Sequence, residues 1–226
     1  MDGLNLSKRL QTVADLVDIG DRVADIGTDH AYLPVNLVVT RTSDFVIASD
    51  TAKGPFANAQ EVVSENQLND LIDLRLANGL EAVNPEDEID TIILAGMGAE
   101  LIINILSQKN IDNYKLILQA NSEVPLLREF LSESNHKIIE EKIIYEQHFY
   151  QIIKAIPGKE NLDTTQIKFG PILVKEKNPI FIKYWENELN RLEKICQQLK
   201  KSYQETSPKY VELQSKIIEI STIIKL

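Results

Sequence analysis

Short apolar runs alternate with amphipathic stretches along the first two thirds of the chain. Runs of four to six apolar residues indicate buried strands, and apolar residues spaced three or four apart indicate helices. This alternation predicts an α/β protein with a parallel sheet that helices cover. A first helix is predicted over residues 4–19. The five predicted strands are residues 23–26, 45–49, 71–76, 90–95 and 114–119.

Two further strand-like runs, residues 137–144 and 149–156, follow with little chain between them. Such a short connection allows only antiparallel pairing, because a parallel pair needs a long crossover. The sequence therefore predicts parallel βα units ended by an antiparallel hairpin. Residues 157–159 end this sheet domain, and residues 161–178 are predicted to be an irregular connector.

The last part of the chain has a different periodicity. Apolar residues recur alternately three and four positions apart on both sides of Pro208, which predicts an antiparallel coiled-coil hairpin whose seam packs within the hairpin. The seam residues are Trp185, Leu189, Leu192, Cys196, Leu199, Tyr203, Tyr210, Leu213, Ile217, Ile220 and Ile224. The predicted division is a sheet domain over 1–158, a connector over 159–178 and the hairpin over 179–226.

The turn after the first strand has a single glycine, Gly27, between two carboxylates, Asp25 and Asp29. Open α/β sheets bind nucleotide-like ligands at such strand ends. A dinucleotide site would have G-x-G-x-x-G, so that pyrophosphate could reach free backbone N–H groups. Here Asp29 stands at the second glycine position, and the negative charge disfavours an anionic ligand. The charge fits S-adenosylmethionine better, since that molecule has a sulfonium and an ammonium group. A nicotinamide dehydrogenase is disfavoured because the glycine fingerprint is missing and no tyrosine–lysine pair for hydride transfer stands out.

Other strand ends carry polar or small residues. Asp50 ends the second strand. Its separation from Gly27 along the sequence is typical of a carboxylate that binds the two hydroxyls of a ribose. Asn78 and Gly79 follow the third strand and lie beside an adenine ring or form a plain turn. Gly96-Met97-Gly98 is a second glycine-rich strand exit, and we expect Met97 to line the ligand pocket.

The formal net charge of the 226-residue chain is −10, which does not favour nucleic-acid binding. The negative charge lies before residue 178, and residues 178–226 are slightly basic. A polyanionic partner would therefore need local basic patches, such as Lys8 and Arg9 near the mouth of the site.

The single cysteine, Cys196, excludes an internal disulfide and a cysteine-based metal cluster. No apolar run approaches the roughly 20 residues of a membrane helix. The residues after Met1 show no cationic and apolar segments of a secretory signal. We therefore expect a cytoplasmic protein that binds no membrane and no metal.

Several sequence blocks in the same order resemble one known family, the bacterial tRNA (adenine-N1)-methyltransferases of the TrmK type, which modify adenine 22 in the D-arm region of tRNA. The long block from Ala24 to Pro34, Ala-Asp-Ile-Gly-Thr-Asp-His-Ala-Tyr-Leu-Pro, is far more specific than a lone glycine turn. The other blocks are Leu6-Ser7-Lys8-Arg9-Leu10, Lys53-Gly54-Pro55, Asn78-Gly79-Leu80, Ala95-Gly96-Met97-Gly98 and Phe169-Gly170-Pro171.

The resemblance implies a Rossmann-like class I methyltransferase sheet with a terminal antiparallel hairpin, a C-terminal coiled coil, S-adenosylmethionine as cofactor and tRNA as partner. We expect the cofactor-binding residues to lie on the strand ends. They are Asp25, Gly27, Thr28, Asp29, His30, Leu33, Asp50, Asn78, Gly79, Ala95, Gly96, Met97 and Gly98. The chain is expected to be a monomer.

Methylation at adenine N1 needs no covalent enzyme nucleophile, because the N1 lone pair is free in the neutral base. A carboxylate beside the cationic product would help, and we expect Asp29 in that role, with His30 as the rival; both are equally candidates for cofactor contacts. Asn121 and Tyr32 are expected to bind the target base, and Asn121 is also expected to be a catalytic residue. Lys8 and Arg9 are expected to be further substrate contacts.

The chain departs from the family at two positions. Ala99 stands where the family has a second glycine, and Ala120 stands where it has proline before Asn121. We expect Ala99 to leave cofactor binding intact and Ala120 to loosen the loop that presents Asn121.

Two other functions are compatible with the same sequence. One is a methyltransferase that acts on a protein or a small molecule, which the acidic composition mildly favours. The other is a non-catalytic nucleotide-binding adaptor whose coiled coil recruits a partner.

Overall fold

A seven-stranded sheet forms the centre of the computed structural model, which describes residues 5–202 and 207–225. The strand order is β3-β2-β1-β4-β5-β7-β6, with β1 to β5 parallel and β7 antiparallel to both of its neighbours. This arrangement confirms the predicted Rossmann-like sheet with a terminal hairpin. The strands are β1 (Val23–Ile26), β2 (Val46–Asp50), β3 (Ile72–Leu76), β4 (Thr91–Gly98), β5 (Lys115–Ser122), β6 (His136–Glu146) and β7 (His148–Pro157).

Helices cover both faces of this sheet. On one face α1 (Lys8–Ala14), α2 (Tyr32–Val39) and α3 (Lys53–Glu65) share a buried apolar cluster with the strands. On the other face α4 (Ala99–Leu106) and α5 (Val124–Glu133) share a second cluster with a 3₁₀ turn at Gly79–Ala82. Because successive strand residues face opposite sides, the central strands are apolar throughout.

The first helix is shorter than the sequence predicted. It begins after Ser7, whose Oγ accepts a hydrogen bond from the Leu10 N–H at 3.2 Å, and it ends at Ala14. Beyond that point Leu16 and Val17 stay buried, but their N–H groups donate three residues back, to Val13 and Ala14. The helix is therefore shorter than predicted; of its apolar residues, Val13 and Val17 are buried and Leu6 and Leu10 are partly buried. Residue 4, where the predicted helix starts, lies outside the described residues.

The segment predicted to be an irregular connector contains two short helices, α6 (Thr164–Phe169) and α7 (Leu173–Glu176). A capping box starts α6, because the Asp163 carboxylate accepts from the Gln166 N–H and the Gln166 side chain accepts from the Asp163 N–H. Helices this short have too few turns to show a periodic apolar pattern, so the prediction of an irregular segment was wrong.

The chain divides into two compact units, Met1–Ile172 and Leu173–Leu226. In the second unit α8 (Pro179–Ser202) and α9 (Pro208–Lys225) pack against each other. The predicted seam residues Trp185, Leu192, Cys196 and Ile220 are buried. The seam position Tyr203 lies outside the described residues. The assignment of residues 1–158, 159–178 and 179–226 to a methyltransferase domain, a connector and a coiled-coil hairpin stays a prediction.

Among the described residues, no helix combines the length and the apolar character that crossing a bilayer requires. In the same residues, no three histidine, cysteine or carboxylate side chains are grouped so that they could hold a metal ion.

A fully buried ion pair joins α5 to β6. Arg128 Nε donates to Glu141 Oε1 at 2.7 Å, and neither side chain is exposed to solvent. The same guanidinium donates to Gln151 Oε1 on β7 at 2.6 Å and to the Ile167 carbonyl on α6 at 3.2 Å. Four elements are therefore connected through one cation, which is satisfied by acceptors on several sides.

This ion pair also explains the Phe169-Gly170-Pro171 block. Gly170 has a φ of +92°, and a Cβ at this position would lie 2.6 Å from Glu141 Oε2 and 2.9 Å from Arg128 Nη2. Any side chain at residue 170 would displace the ion pair, so the backbone after α6 requires glycine.

Arg128→Met should destabilise the protein by about 3–5 kcal/mol, because it leaves the Glu141 carboxylate buried without its cation. Urea denaturation measures the free energy of unfolding. Arg191→Met provides the matched control, since Arg191 pairs with Glu188 on the exposed surface of α8 and such pairs contribute less than about 1 kcal/mol. Equal losses for the two variants would contradict the structural role of the buried pair.

Candidate active site

The strand order reverses between β1 and β4, which are hydrogen-bonded neighbours. In open α/β sheets this reversal opens a crevice at the carboxyl ends of the strands. Two cavities lie there, one of about 290 Å³ and one of about 110 Å³. Gly27 lines both of them.

The larger cavity brings together the predicted residues of four strand ends. The end of β1 gives Gly27, the end of β2 gives Asp50, and Met97 comes from β4. Asn78 and Gly79 follow β3 at the same edge. Residues that were not predicted as site residues complete the wall; they are Ile26, Ser49, Thr51, Ala77, Leu101, Asn104, Ile105 and Gln108.

The turn at Gly27 has no room for a side chain. Gly27 has a φ of +80°, and a Cβ there would collide with Cε of Met97. The N–H groups of Gly27 and Thr28 both donate to the Ser49 carbonyl at 2.8 Å. These two donors are therefore not available to a pyrophosphate, in agreement with the missing G-x-G-x-x-G pattern.

The end of β2 offers polar groups to a ligand. Asp50 Oδ1 accepts a hydrogen bond from the Ala52 N–H at 2.7 Å, which fixes the carboxylate at the cavity wall. The Ser49 hydroxyl is buried and has no hydrogen-bond partner among the described residues. A buried hydroxyl without a partner is costly, so this position favours a polar ligand in the cavity.

Gln108 shapes the wall near Asn78. Its Oε1 accepts from the Leu80 N–H at 2.9 Å, and a Cβ on Gly79 would lie 2.5 Å from the same atom. Gly79 has a φ of +58°. The glycine is therefore required twice, by the backbone conformation and by the close glutamine. The sequence contained no signal for Gln108, which follows the end of α4.

The smaller cavity shares Gly27 with the larger one, and predicted residues of the long block line it. Its lining is Arg9, Leu10, Asp25, Gly27, Asp29, His30, Tyr32, Leu33 and Ala95. Asp25 is 6% exposed, and this burial raises the pKa of its carboxyl to about 6. The nearby Thr28 hydroxyl and Arg9 guanidinium oppose the rise in the pKa, whereas the Asp50 carboxylate adds to it. The carboxylate form of Asp25 is therefore costly until a cation approaches.

The loop between β1 and α2 has an unusual backbone. His30 and Ala31 have φ values of +61° and +52°, in the left-handed region that favours glycine. His30 stacks on Tyr32 with ring centroids 5.3 Å apart, and its Nε2 lies 3.3 Å from Asp29 Oδ1. The Asp29 side chain is 80% exposed. The three predicted functional residues are therefore neighbours at the mouth of the smaller cavity, and their catalytic or binding roles stay predictions.

Arg9 reaches this mouth from α1. Its Nη1 donates to Gln119 Oε1 at 2.8 Å, and its guanidinium lies 5.7 Å from the centroid of the Tyr150 ring. Glu146 holds the start of α1, since its carboxylate accepts from the Lys8 N–H at 2.8 Å and from the Arg9 N–H at 3.1 Å. These backbone hydrogen bonds lower the pKa of Glu146. Neither Gln119 nor Glu146 was predicted as a site residue.

Asn121 lies beside the second glycine-rich strand end. Its Nδ2 donates to the Gly96 carbonyl at 2.7 Å. The chain before it was expected to be a loosened loop, but Ala120 lies inside β5 and pairs with strands on both sides.

Predicted residues that line neither cavity are Lys8, Thr28, Gly96, Gly98 and Asn121. Their assigned roles stay predictions.

Comparison with known proteins identifies the family. The sequence profile of TrmK, described as tRNA (adenine(22)-N(1))-methyltransferase, matches residues 23–222. The chain belongs to the TrmK family. It is 37% identical over 212 residues to the Bacillus subtilis tRNA (adenine(22)-N(1))-methyltransferase, with 89% of each chain covered.

Solved TrmK-like structures have the same fold. A Streptococcus pneumoniae protein in complex with S-adenosyl-L-methionine is 34% identical with a TM-score of 0.89, covering 97% of this chain and 100% of that one. Mycoplasma capricolum TrmK in complex with S-adenosyl-homocysteine is 35% identical with a TM-score of 0.86, covering 97% and 98%.

Asp25→Asn should stabilise the protein at pH 7.5 by on the order of 1–3 kcal/mol, because it removes a buried charge. The pKa of Asp25 is raised from about 3.8 to about 6, so the folded state takes up the proton first as the pH falls. The penalty is therefore complete above pH 6 and disappears as the pH falls from 6 to 4. Urea denaturation at several pH values measures this difference.

Asp70→Asn, at an exposed position, controls for the loss of one charge. A stability difference between Asp25→Asn and the wild type that stays constant from pH 7.5 to pH 4.5 would contradict the raised pKa.

Proposed function

We propose that this chain is a tRNA (adenine(22)-N1)-methyltransferase that uses S-adenosylmethionine. The observation that carries the proposal is the pair of cavities joined at Gly27, with the buried carboxyl of Asp25 in one and Asp50 in the other. This arrangement suits a ligand with a cationic end and a ribose. Membership of the TrmK family and the S-adenosyl ligands bound by two structural relatives support the same function.

The residues present fit this cofactor. Asp50 is placed to accept hydrogen bonds from two ribose hydroxyls, because its free oxygen and its fixed orientation match a vicinal diol. Ser49, whose buried hydroxyl has no hydrogen-bond partner among the described residues, lines the same cavity. Asn78 and Gly79 form the wall for an adenine ring. Asp25 and the exposed Asp29 supply negative charge for the cationic end.

When bound, S-adenosylmethionine supplies an electrophilic methyl group, and the adenine N1 lone pair needs no enzyme nucleophile. The protein contributes positioning and charge. Tyr32, which lines the smaller cavity, and Asn121, which is exposed on β5, orient the target base. Asp29, whose Oδ1 lies 3.3 Å from His30 Nε2, accepts a proton from the exocyclic amine of the cationic product.

The target nitrogen lies on the Watson–Crick edge, so a paired adenine must leave its partner before it reaches the site. Lys8 is exposed at the start of α1 and serves as a phosphate contact there. Arg9 is held inward by Gln119 and acts at the base rather than on the backbone of the RNA. The protein works on cytoplasmic tRNA as a monomer.

An unmodified tRNA transcript with adenine at position 22 should yield 1-methyladenosine when it is incubated with the protein and S-adenosylmethionine. The matched transcript with guanine 22 should yield none, because guanine N1 carries a proton and offers no lone pair. Nucleoside digestion and mass spectrometry measure the product. Methylation of both transcripts at another nucleoside would contradict the proposed site.

Two other outcomes identify the alternative functions. Methyl transfer to protein or small molecules of a nucleic-acid-free extract, with no transfer to tRNA, would indicate a different acceptor. Cofactor binding without turnover on any acceptor would indicate an adaptor.

Gly27→Ala should weaken S-adenosylmethionine binding about tenfold or more. Alanine at residue 27 must adopt the left-handed backbone conformation of Gly27, which costs about 1–2 kcal/mol. Its Cβ also displaces the Met97 side chain into the cavity. Titration calorimetry measures the dissociation constant. Gly54→Ala is the matched control, because Gly54 lies in α3 and a Cβ there meets no atom within 4 Å. Unchanged affinity of Gly27→Ala would remove the turn from the cofactor site.

A further inference from the structure

Gln119 lies at the centre of a hydrogen-bond network that joins three parts of the site. The side chain is fully buried on β5. Its Oε1 accepts from Arg9 Nη1 at 2.8 Å and from the Gly96 N–H at 3.1 Å. Its Nε2 donates to Asn121 Oδ1 at 3.0 Å, and Asn121 Nδ2 donates to the Gly96 carbonyl at 2.7 Å.

The orientation of each amide in this network is set by its neighbours. A guanidinium and a backbone N–H only donate, so Arg9 and Gly96 require the oxygen of Gln119 to face them. The amide nitrogen of Gln119 must then face Asn121. Only the side-chain oxygen of Asn121 can accept the hydrogen bond from this nitrogen. The Asn121 nitrogen is left on the side of the Gly96 carbonyl, which only accepts. Every contact is therefore consistent with one arrangement.

The strand geometry supports the same connection. Gln119 and Asn121 are two residues apart on β5, so their side chains lie on the same face of the sheet. Asn121 is exposed, whereas Gln119 is buried beneath it. The network thus connects Arg9, a charged donor on α1 that lines the smaller cavity, to the exposed amide of Asn121 on β5.

We propose that Gln119 is a positioning residue that sets the orientation of the Asn121 amide for the target adenine. The proposal rests on the proposed function, because it assigns Asn121 to the base. Gln119 does not touch the substrate. It keeps one lone pair and one N–H of Asn121 in fixed places, and an adenine edge offers a matching donor and acceptor.

Gln119→Glu tests the polarity of this connection with an almost unchanged shape. The carboxylate still accepts from Arg9 and Gly96, but it cannot donate to Asn121 Oδ1 and repels it. Gln119→Met removes both the acceptor for Arg9 and Gly96 and the donor to Asn121, and its side chain does not repel Asn121 Oδ1. We expect kcat to fall about tenfold or more in Gln119→Glu and less in Gln119→Met, with the KM for tRNA changed less than about threefold.

Thermal stability should follow the opposite order. Gln119→Glu keeps an acceptor for the Arg9 cation, whereas Gln119→Met leaves this cation without one, so Gln119→Glu should be the more stable variant. A merely structural role would make activity follow stability. Gln67→Glu adds the same charge at an exposed position outside the site and should leave kcat unchanged.

A double-mutant cycle decides whether Gln119 acts through Asn121. In the Asn121→Ala background, Gln119→Glu should reduce kcat less than about twofold further, because the group that it misplaces is already absent. Equal fold losses in both backgrounds would overturn the proposal. A loss confined to S-adenosylmethionine affinity, measured by calorimetry, would overturn it as well.

Failure of the proposed function gives a different result. If the wild type forms no 1-methyladenosine on the adenine 22 transcript, the function itself fails before any variant is compared. If the wild type is active and Asn121→Ala keeps full kcat, the function stands and the positioning role of Gln119 is overturned.

Discussion

The site depends on one backbone contact, the pair of hydrogen bonds that the Gly27 and Thr28 N–H groups donate to the Ser49 carbonyl. This contact ties the end of β1 to the end of β2 and turns the chain sharply at a glycine with a φ of +80°. Gly27 at this turn lines both cavities of the site. The same contact uses two backbone donors that a phosphate would need at this turn.

Carboxylates line both cavities, Asp50 in the larger one and Asp25 and Asp29 in the smaller one. Asp25 is buried with a pKa raised to about 6, and its environment therefore favours a cationic ligand that offsets the cost of the carboxylate. Because the chain is acidic, the negatively charged RNA backbone must be bound away from these carboxylates or through uncharged contacts. Arg9 illustrates the outcome, because its guanidinium is directed to Gln119 and Tyr150 instead of to bulk solvent. An oriented side-chain amide and an aromatic ring make uncharged contacts, and such contacts bind a nucleotide base better than they bind a phosphate.

The sheet could be predicted from the sequence because its central strands are buried on both faces. Val23 packs into one apolar cluster while Ala24 and Ile26 pack into the other, and such strands appear as unbroken apolar runs. Short helices were missed or mispredicted for the converse reason. The connector helix α6 (Thr164–Phe169) depends on its capping box and on acceptance of an Arg128 hydrogen bond, neither of which produces a periodic pattern.

The candidate site divides in the same way. Gly27, Asp25 and Asp50 could be predicted, because a glycine and a carboxylate at a strand end are local signals. Gln119 could not, since its partner Arg9 is 110 residues away. Glu146 is 138 residues from Lys8, although its carboxylate accepts a hydrogen bond from the Lys8 N–H. Polar residues that serve a site through another side chain look like ordinary strand or turn residues until the fold brings their partners together.

The loop between β1 and α2 has strained backbone at two residues that are not glycine. His30 and Ala31 both have left-handed backbone, which costs roughly 1–3 kcal/mol for each non-glycine residue. The conformation persists because the loop is fixed at both ends: the Ser49 carbonyl holds its start, and the fully buried Ala31 side chain holds its end. Glycine at residue 30 would relax the backbone but would remove the imidazole that stacks on Tyr32 and contacts Asp29. The strain is therefore the cost of placing three polar or aromatic side chains at one cavity mouth.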